Sequence, residues 1–529
     1  MRQFWLHCGS TIAASPFRTR VFILWLMGMF SALAFAPFMW FFAAIPGFSL
    51  LLWWLPHCLN KKQAFWLGWW FGFGHFIAGL YWIANSLLVD PLRFAWLIPF
   101  AVSLIPAALA VYVGLVSLCT WLLVKRFSSV SLIGIFSAFW LVGEVARSIF
   151  FTGFPWNLSG YMLSGGDLAI QWAAIFGVYG LGVAALLLVS APVWFVRLDE
   201  SGWKYVGSRK KIIGLISLLL LIYGGGAVML NQSRLLADNN KSSGLNIRLV
   251  QANIPQTLKW DSDREFENLF KHIDLTRVAE DDVQPDLVLW SESAFPFFLE
   301  REDELRKVIG NAIPKHAFLL TGAMQSSSDQ IWNTVQALNH SGDIVGTYRK
   351  HKLVPFGEFV PLRGLLPFIS KITPGSMDFS AGKGPETLIL DKDGEDESIQ
   401  IGPMVCYEAI FSTQIVDKNQ RPQWLLNVTN DAWFGDSAGP HQHFEAARMR
   451  AVEEGLPLVR VANTGISGVI MADGTVLAKM GVNKTGATTI RMPLSQKTSP
   501  SWKIYHSYHD YVLVLLLLSL FIGAFFRRK

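Results

Sequence analysis

Long apolar runs fill the first 230 residues of the chain and leave few charges between them. Residues 21–58 contain no Lys, Arg, Asp or Glu, and the whole of 1–230 holds 14 basic and 5 acidic side chains. About 20 consecutive apolar residues are enough for a helix to span the hydrocarbon of a bilayer. The pattern therefore predicts a polytopic α-helical membrane domain.

Eight membrane spans are expected, seven before residue 231 and one near the C-terminus. Pro37, Pro46 and Gly47 are the only breaks that divide the uncharged run 21–58 into two spans. The approximate limits are 20–37, 39–58, 63–86, 94–124, 129–150, 168–196, 212–230 and 509–526. The prediction is thus a membrane domain over 1–230, a soluble domain over 231–505, and a last span with its tail over 506–529.

Basic residues collect on one side of these predicted spans. They are Arg18 and Arg20, Lys61 and Lys62, Lys125 and Arg126, those of 197–211, and those of 527–529. Because Lys and Arg accumulate in cytoplasmic loops, this side is predicted to be cytoplasmic and to hold both termini. An odd number of spans before residue 231 then places 231–505 on the opposite face.

The charge of the soluble part argues against nucleic-acid binding. Residues 231–505 hold 28 basic and 33 acidic side chains, so the net charge of +6 comes from the apolar part. Binding to phosphate needs basic residues clustered on a soluble face, and the sequence predicts no nucleic-acid partner. A transporter with an appended binding domain is disfavoured because charges are scarce inside the spans.

From residue 245 onward, short β-rich runs alternate with amphipathic stretches. Ten strands are predicted, among them Asp286–Trp290, Asp343–Tyr348 and Ile399–Val405, together with four helices, one of them over Ala409–Val416. Alternation of this kind is typical of an α/β fold in which helices cover sheets.

Cys406 is the only cysteine of the soluble part, since the others are Cys8, Cys58 and Cys119. It has no partner there for a disulfide, so it is either buried and inert or a reactive thiol. It follows one predicted strand and precedes a predicted helix. The amides of a helix N-terminus can favour a thiolate at such a turn.

Two further predicted strands end in polar residues. Glu292 follows Leu287-Val288-Leu289-Trp290-Ser291, and Lys350 follows Gly346-Thr347-Tyr348-Arg349. Carboxylates and lysines at strand ends commonly form salt bridges, so each alone is weak support for catalysis. A thiol, an amine and a carboxylate at three strand ends together indicate a catalytic set.

These segments carry a family resemblance. Trp-Ser-Glu-Ser-Ala around Glu292, Tyr-Arg-Lys-His-Lys-Leu-Val-Pro-Phe-Gly-Glu around Lys350 and Val-Cys-Tyr-Glu around Cys406 look like the Glu-Lys-Cys motifs of the nitrilase superfamily. With eight spans around that domain, the whole chain resembles the apolipoprotein N-acyltransferase family of bacterial lipoprotein maturation. Segments 154–156, 251–255 and 430–435 match as well.

The resemblance implies an αββα sandwich in the periplasm of a bacterial inner-membrane protein, with Glu292, Lys350 and Cys406 as catalytic residues. It further implies transfer of a fatty acyl chain from the sn-1 ester of phosphatidylethanolamine, through a Cys thioester, to the amino group of a diacylglyceryl-cysteine apolipoprotein. No metal or other cofactor is expected, and the protein is expected to be a monomer. The nearest rival is a membrane-anchored amidase of the nitrilase type, which would pass the acyl group to water.

Other positions receive supporting roles. Glu358 is expected to orient Lys350 or to help with proton transfer, and Glu408 either fixes the loop beside Cys406 or forms a structural salt bridge. Tyr407, Trp260 and Trp433 either line the acyl-chain path or pack in the ordinary way, and Trp156 is expected to bind substrate. His441 and His443 lack the further ligand spacing that a zinc site needs.

Residues 360–370 form an apolar cluster interrupted by prolines and a glycine. Two interpretations remain open for this segment. It is either a loop of the core or an arm that dips into the bilayer and gates the site.

Overall fold

The computed structural model describes residues 15–127, 131–199, 202–238, 244–277, 282–364, 371–373, 375, 377–392, 398–494 and 500–525. They form two compact units. The first comprises residues up to 84, 96–230 and those from 503 onward. The second comprises 85–95 and 231–502, so the chain enters it twice.

The first unit is built mainly from helices. In chain order they are Phe17–Ser31, Ala44–Trp54, Lys61–Gly79, Ile98–Arg126, Leu132–Ile149, Asp167–Ile170, Ala173–Val189, Ala191–Phe195, Arg209–Leu219, Gly225–Asp238 and Pro500–Phe525, with Ile83–Leu87 and Pro91–Phe94 in or beside the segment 85–95. A short hairpin of strands β1 (Val196–Asp199) and β2 (Gly202–Tyr205) joins two of these helices.

Helix Lys61–Gly79 packs against both Phe17–Ser31 and Ile98–Arg126. Small residues allow this close approach. A Cβ at Gly74 would lie 2.0 Å from the carbonyl oxygen of Trp25, so only glycine fits there. Small residues at helix contacts are typical of bundles in lipid, where backbones approach closely.

Among the described residues, four helices are long and apolar enough to cross a membrane, namely Phe17–Ala34, Pro91–Arg126, Leu132–Thr152 and Arg209–Leu235. Three shorter apolar helices cover Phe41–His57, Ala173–Val189 and Tyr508–Ala524. Helix Lys61–Gly79 takes the place of the predicted span 63–86. The count of eight spans therefore stays a prediction.

The described part of the second unit contains two six-stranded sheets. Its strands are β3 (Gly244–Gln251), β4 (Leu287–Leu289), β5 (Phe318–Ser326), β6 (Ile331–Leu338), β7 (Ile344–Arg349), β8 (Leu388–Leu390), β9 (Ile399–Val405), β10 (Trp424–Thr429), β11 (Leu458–Ala462), β12 (Ser467–Ile470), β13 (Val476–Met480) and β14 (Gly486–Pro493). Sheet I has the order β14-β3-β4-β5-β6-β7, and sheet II the order β13-β12-β11-β10-β9-β8. Three consecutive strands of each sheet are parallel, β3-β4-β5 in sheet I and β9-β10-β11 in sheet II.

The two sheets pack face to face with helices on their outer faces. Leu287 and Leu289 of β4 belong to the apolar cluster between the sheets. Val288 of the same strand points to the opposite face, where it packs with Leu269 and Ile273 of helix Glu265–Thr276. Helix Asp303–Gly310 also lies on that face, and helix Ala438–Glu454 covers sheet II. The layers are therefore αββα, as the alternation of side chains along a strand requires.

All ten predicted strands are present, with ends shifted by at most four residues, but β8 and β13 were not predicted. The helix predicted over Ala409–Val416 was wrong. A short 3₁₀ turn, Cys406–Ile410, ends at Phe411, and no α-helix follows it before β10. Ala409, Ile415 and Val416 are buried in the core around helix Ala438–Glu454, and the spacing of these apolar residues resembles a helical pattern.

Only part of the apolar segment 360–370 can be placed, because 365–370 lie outside the described residues. Val360 is buried, whereas the side chain of Leu362 is 72% exposed. Arg363 pairs with Asp378.

Candidate active site

Glu292 lies just beyond the C-terminal end of β4. A Cβ at Gly322 of the neighbouring β5 would lie 2.4 Å from the Cα of Glu292, so glycine lets the two backbones approach here. The carboxylate is 7% exposed. Its Oε1 accepts a hydrogen bond from Asn333 Nδ2 at 2.8 Å, while its Oε2 has no hydrogen-bond partner among the described residues. One carboxylate oxygen is thus held and the other is available to take a proton.

Lys350 follows the last residue of β7, at the same edge of sheet I. The C-terminal ends of β4 and β7 lie at this edge because the two strands run in the same direction. β5 is parallel to β4, β6 is antiparallel to β5, and β7 is antiparallel to β6. The Nζ of Lys350 lies 2.9 Å from Oε1 of Glu358 and 3.7 Å from Oε1 of Glu292. Burial alone lowers the pKa of Lys350, but the carboxylates of Glu358 and Glu292 outweigh it and raise the pKa above its ordinary value. The ammonium group therefore stays protonated.

Asn333 bridges the two carboxylates and was not predicted. Its Nδ2 donates to Oε1 of Glu358 at 3.0 Å as well as to Glu292. Its backbone oxygen accepts from the amide of Lys350 at 2.9 Å. The available signal was a polar residue inside the otherwise mostly apolar run Ile331–Leu338, which a single sequence does not distinguish from an ordinary strand position.

Cys406 begins the turn after β9 in sheet II, and its backbone has a φ of +50°. Left-handed backbone costs a non-glycine residue about 1–2 kcal/mol, so the surrounding structure holds Cys406 in this conformation. The side chain is 7% exposed. Burial and the charge of Glu292 raise the pKa of the thiol, and Lys350 opposes this rise.

The expectation of a thiolate favoured by a helix N-terminus was therefore wrong at this position. No α-helix begins at Cys406, and the pKa of its thiol is raised, not lowered. At rest the sulfur carries its proton, and a base must remove it. The charges of Glu292 and Lys350 act on the thiol, so the structure brings the three predicted residues into one site.

Glu408 is fully buried two residues beyond Cys406. Its carboxylate accepts hydrogen bonds from the amides of Val405 and His351, both at 2.7 Å, and from the hydroxyl of Tyr348. Burial raises the pKa of Glu408, but these donors and the His351 ring outweigh it and lower the pKa below its ordinary value. The carboxylate fixes the turn that carries Cys406.

His443 supports the same turn from helix Ala438–Glu454. Its Nε2 lies 3.0 Å from the carbonyl oxygen of Cys406, and its Nδ1 lies 2.9 Å from Oδ1 of Asp431. Arg460 pairs with Asp431 at 2.8 Å. Within the described part of the chain, no group of three or more His, Cys, Asp or Glu side chains could hold a metal ion.

The aromatic residues lie in several places. Tyr407 is buried with its ring edge-on to Phe411, at 5.2 Å between centroids, and Trp260 is partly buried. Trp433 lies in the 3₁₀ turn Asp431–Phe434, and its carbonyl oxygen accepts from Ser86 Oγ at 2.9 Å. Trp156 belongs to the first unit, where it packs against Trp82 at 4.6 Å between ring centroids.

Comparison with known proteins identifies both parts of the chain. Residues 27–191 match the family model for the apolipoprotein N-acyltransferase N-terminal domain, and residues 246–500 match that for carbon-nitrogen hydrolase. The apolipoprotein N-acyltransferase of Rhodopseudomonas palustris is 34% identical over 90% of this chain and 89% of its own. The chain belongs to the apolipoprotein N-acyltransferase family.

Other members of the apolipoprotein N-acyltransferase family are equally similar. The protein of Brucella melitensis is 34% identical over 94% of both chains, and that of Rickettsia prowazekii is 33% identical over 94% of this chain and 96% of its own. Among solved structures, an amidase from Nesterenkonia sp. aligns with a TM-score of 0.36 and 18% identity, covering 51% of this chain and 95% of the amidase.

The two matched domains divide the predicted residues between them. Glu292, Lys350 and Cys406 all fall in the carbon-nitrogen hydrolase match, and Trp156 falls in the match to the N-terminal domain.

Proposed function

We propose that the protein transfers a fatty acyl chain from a membrane phospholipid to the N-terminal amino group of a diacylglyceryl-cysteine apolipoprotein, through a thioester on Cys406. The observation that carries this proposal is the juxtaposition of a protonated thiol, a lysine held cationic and a carboxylate with one unpartnered oxygen among the described residues. The curated relatives that match nearly the whole chain bear the name of this activity.

The first half-reaction needs a base and an oxyanion stabiliser. Oε2 of Glu292 takes the proton of the thiol, and the sulfur attacks the ester carbonyl to form a C–S bond. The ammonium of Lys350 stabilises the negative charge that develops on the carbonyl oxygen. When the C–O bond breaks, Glu292 returns the proton to the leaving alkoxide, and a lysophospholipid departs.

The second half-reaction reverses these roles. The neutral amino group of the apolipoprotein attacks the thioester carbonyl and gives a proton to Glu292. A C–N bond forms, the C–S bond breaks, and the proton returns to the sulfur of Cys406. Ester, thioester and amide are exchanged with no net oxidation, so the site needs only an acyl donor and an acyl acceptor. A covalent acyl-enzyme gives ping-pong kinetics.

Supporting roles follow from the contacts. Glu358 orients Lys350, because its carboxylate pairs with the Nζ of Lys350 at 2.9 Å, and Glu408 holds the turn that carries Cys406. Trp260, Trp433 and Tyr407 line the acyl-chain path, and Trp156 contributes to substrate binding. The predicted domains are 1–230, 231–505 and 506–529.

The apolar helices belong to the mechanism because both substrates are anchored in lipid. Extracting an acyl chain into water costs about 0.8 kcal/mol per CH₂ group, which is prohibitive for a long chain. We place the protein in the bacterial inner membrane as a monomer with eight spans, the catalytic domain in the periplasm and both termini in the cytoplasm. Labelling of single cysteines introduced near each terminus with a membrane-impermeant reagent tests this orientation, and labelling of intact spheroplasts would contradict it.

Mass spectrometry of the purified full chain incubated with phosphatidylethanolamine tests the chemistry. We expect the Cys406 peptide to gain the mass of one acyl chain, and the Cys406→Ala variant to gain none. Addition of a diacylated lipopeptide should then discharge the thioester and yield the N-acylated lipopeptide. Release of free fatty acid at the same rate with and without the lipopeptide would favour the amidase alternative.

A further inference from the structure

Lys259 is a second buried lysine at the candidate site, outside the Glu-Lys-Cys set. Its side chain is 2% exposed, and its Nζ donates to the backbone carbonyl oxygen of Glu292 at 2.7 Å. It lies in the turns between β3 and helix Glu265–Thr276, so a different element from those that carry Lys350 delivers it.

The surroundings of Lys259 are unusual for a buried cation. Among the residues the structure describes, no carboxylate forms an ion pair with it, and its hydrogen bond goes to a neutral carbonyl. Buried charges are normally paired, because burial without a partner is costly. Burial lowers the pKa of Lys259 to about 8, and the charges of Glu292 and Cys406 limit this fall.

Those same interactions place Lys259 within electrostatic reach of both reacting groups. The carboxylate of Glu292, and Cys406 once it is a thiolate, favour the charged form of Lys259, and by reciprocity its charge favours the carboxylate and the thiolate. The third titratable group that faces it is His272, on the helix packed behind the turn, whose pKa is lowered to about 4 by burial in the first place and also by Lys259. His272 is therefore neutral wherever Lys259 titrates.

We infer that Lys259 is a positioning residue, which holds the backbone of Glu292 in place and supplies a second positive charge beside Glu292 and Cys406. This inference rests on the proposed function. Transfer of the thiol proton to Glu292 moves one negative charge from the carboxylate to the sulfur. A cation near both ends keeps the total charge of the site compensated throughout the step, while Lys350 remains bound to Glu358.

Loss of this cation gives a testable pH dependence. Below pH 8 Lys259 is charged, and above it the charge is lost. Thiol chemistry alone would accelerate as pH rises, because more thiolate forms. Acylation of Cys406 should instead reach a maximum near pH 8 and decline above it.

The experiment measures single-turnover acylation of Cys406 from phosphatidylethanolamine between pH 6 and pH 10, with the full chain in mixed micelles. Lys259→Met has a side chain of nearly the same length and no charge. We expect this variant to be acylated about 10–100-fold more slowly at pH 7, since hydrogen bonds of charged groups are worth about 1.5–3 kcal/mol. Its rate should show no decline at alkaline pH. Lys259→Arg keeps its charge at all these pH values, so the decline should disappear from its profile. Lys392→Gln is the matched control, because this lysine pairs with Asp286 elsewhere in the unit, and its profile should equal the wild type.

A second readout does not depend on the acyl donor. Alkylation of Cys406 by iodoacetamide at pH 7–9 should be slower in Lys259→Met than in the wild type, because loss of the cation disfavours the thiolate. Lys259→Met profiles equal to those of the wild type in both assays would overturn the inference. If Lys259→Met fails to fold, an acylation rate of Lys259→Arg that declines above pH 8 as in the wild type would overturn it. If the wild type is not acylated by phospholipid but alkylation of Lys259→Met is slowed, the proposed function fails and the positioning role stands.

Discussion

The hydroxyl of Tyr348 lies 3.0 Å from each carboxylate oxygen of Glu408. Tyr348 belongs to β7 of sheet I, which ends just before Lys350, whereas Glu408 belongs to the turn after β9 of sheet II that begins with Cys406. The buried carboxylate of Glu408 thus connects the strand that precedes Lys350 to the turn that carries Cys406. The position of Lys350 relative to Cys406 depends on this contact between the sheets.

Glu408→Gln should therefore destabilise the protein and impair acylation. The substitution places an amide nitrogen opposite backbone N–H donors, and breaking a buried charged network costs about 3 kcal/mol. Thermal unfolding of the purified full chain at pH 7 measures the loss. Tyr348→Phe removes a single donor and should cost about 1 kcal/mol. Equal stability of Glu408→Gln and the wild type would show that the carboxylate is dispensable.

The contribution of Glu408 should also depend on pH. Its pKa is lower in the folded protein than its ordinary value of 4.5, so the ionised form is the one that stabilises the fold. That stability is complete above the unfolded-state pKa and is lost as pH falls through the folded-state pKa. The stability difference between the wild type and Glu408→Gln should shrink between pH 5 and pH 3. A difference independent of pH over this range would contradict the assignment.

Asn333→Ala should slow formation of the acyl-enzyme about 10–100-fold. The substitution removes the donor shared by Glu292 and Glu358, and hydrogen bonds to charged groups are worth about 1.5–3 kcal/mol. Asn333→Asp should be slower still, because it adds a third carboxylate beside the other two. Single-turnover acylation followed by mass spectrometry measures both variants. Thr334→Ser, which alters the neighbouring side chain of the strand, is the control and should keep the wild-type rate.

The thiol of Cys406 should be protonated at neutral pH and should react with alkylating reagents only through its small thiolate fraction. Because burial and Glu292 raise its pKa above the ordinary value, alkylation by iodoacetamide should accelerate continuously from pH 6 to pH 8, the range in which Lys259 is charged. Peptide mapping separates Cys406 from the other cysteines, and Cys406→Ala gives the background. A rate that levels off below pH 8 would reveal a stable thiolate and would remove the need for Glu292 as a base.

The segment 85–95 should influence substrate binding through Trp433. Asn85 Nδ2 donates to the carbonyl oxygen of Phe434 at 2.6 Å, and Ser86 donates to that of Trp433. Loss of one such bond costs about 1 kcal/mol, or about fivefold in an equilibrium. Asn85→Ala should therefore raise the KM for phospholipid about fivefold with little change in kcat. An unchanged KM, matching that of the control Asn339→Ala, would argue against Trp433 as a substrate contact.

The sequence predicted the features that depend on short-range pattern. Strand β9 was predicted with both ends correct, because its alternation and its flanking residues are local signals. The prediction of a helix after Cys406 was wrong. The residues that are buried in the core around helix Ala438–Glu454 are apolar, and their spacing along the chain resembles helical periodicity. Short edge strands such as β8, with three residues, carry too little pattern to be recognised.

The supporting residues of the site were harder to predict than the three motif residues. Glu292, Lys350 and Cys406 stand in recognisable segments, whereas Asn333 acts only because antiparallel pairing brings β6 beside Lys350. The burial of Lys259 likewise has no local signature, since a lysine beside a tryptophan reads as a surface position. Contacts between distant segments decide both roles, and a single sequence does not record them.

The second unit is discontinuous along the chain, since residues 85–95 are separated from 231–502 by 135 residues of the other unit. An excised fragment beginning at residue 231 would consequently lack a native portion of its own tertiary structure, including the donors that anchor Trp433. Because the unit consists of two separate segments, gene fusion or recombination at a single breakpoint cannot transfer the hydrolase-like part as a complete domain. Grafting it onto another scaffold would require transplanting both pieces together.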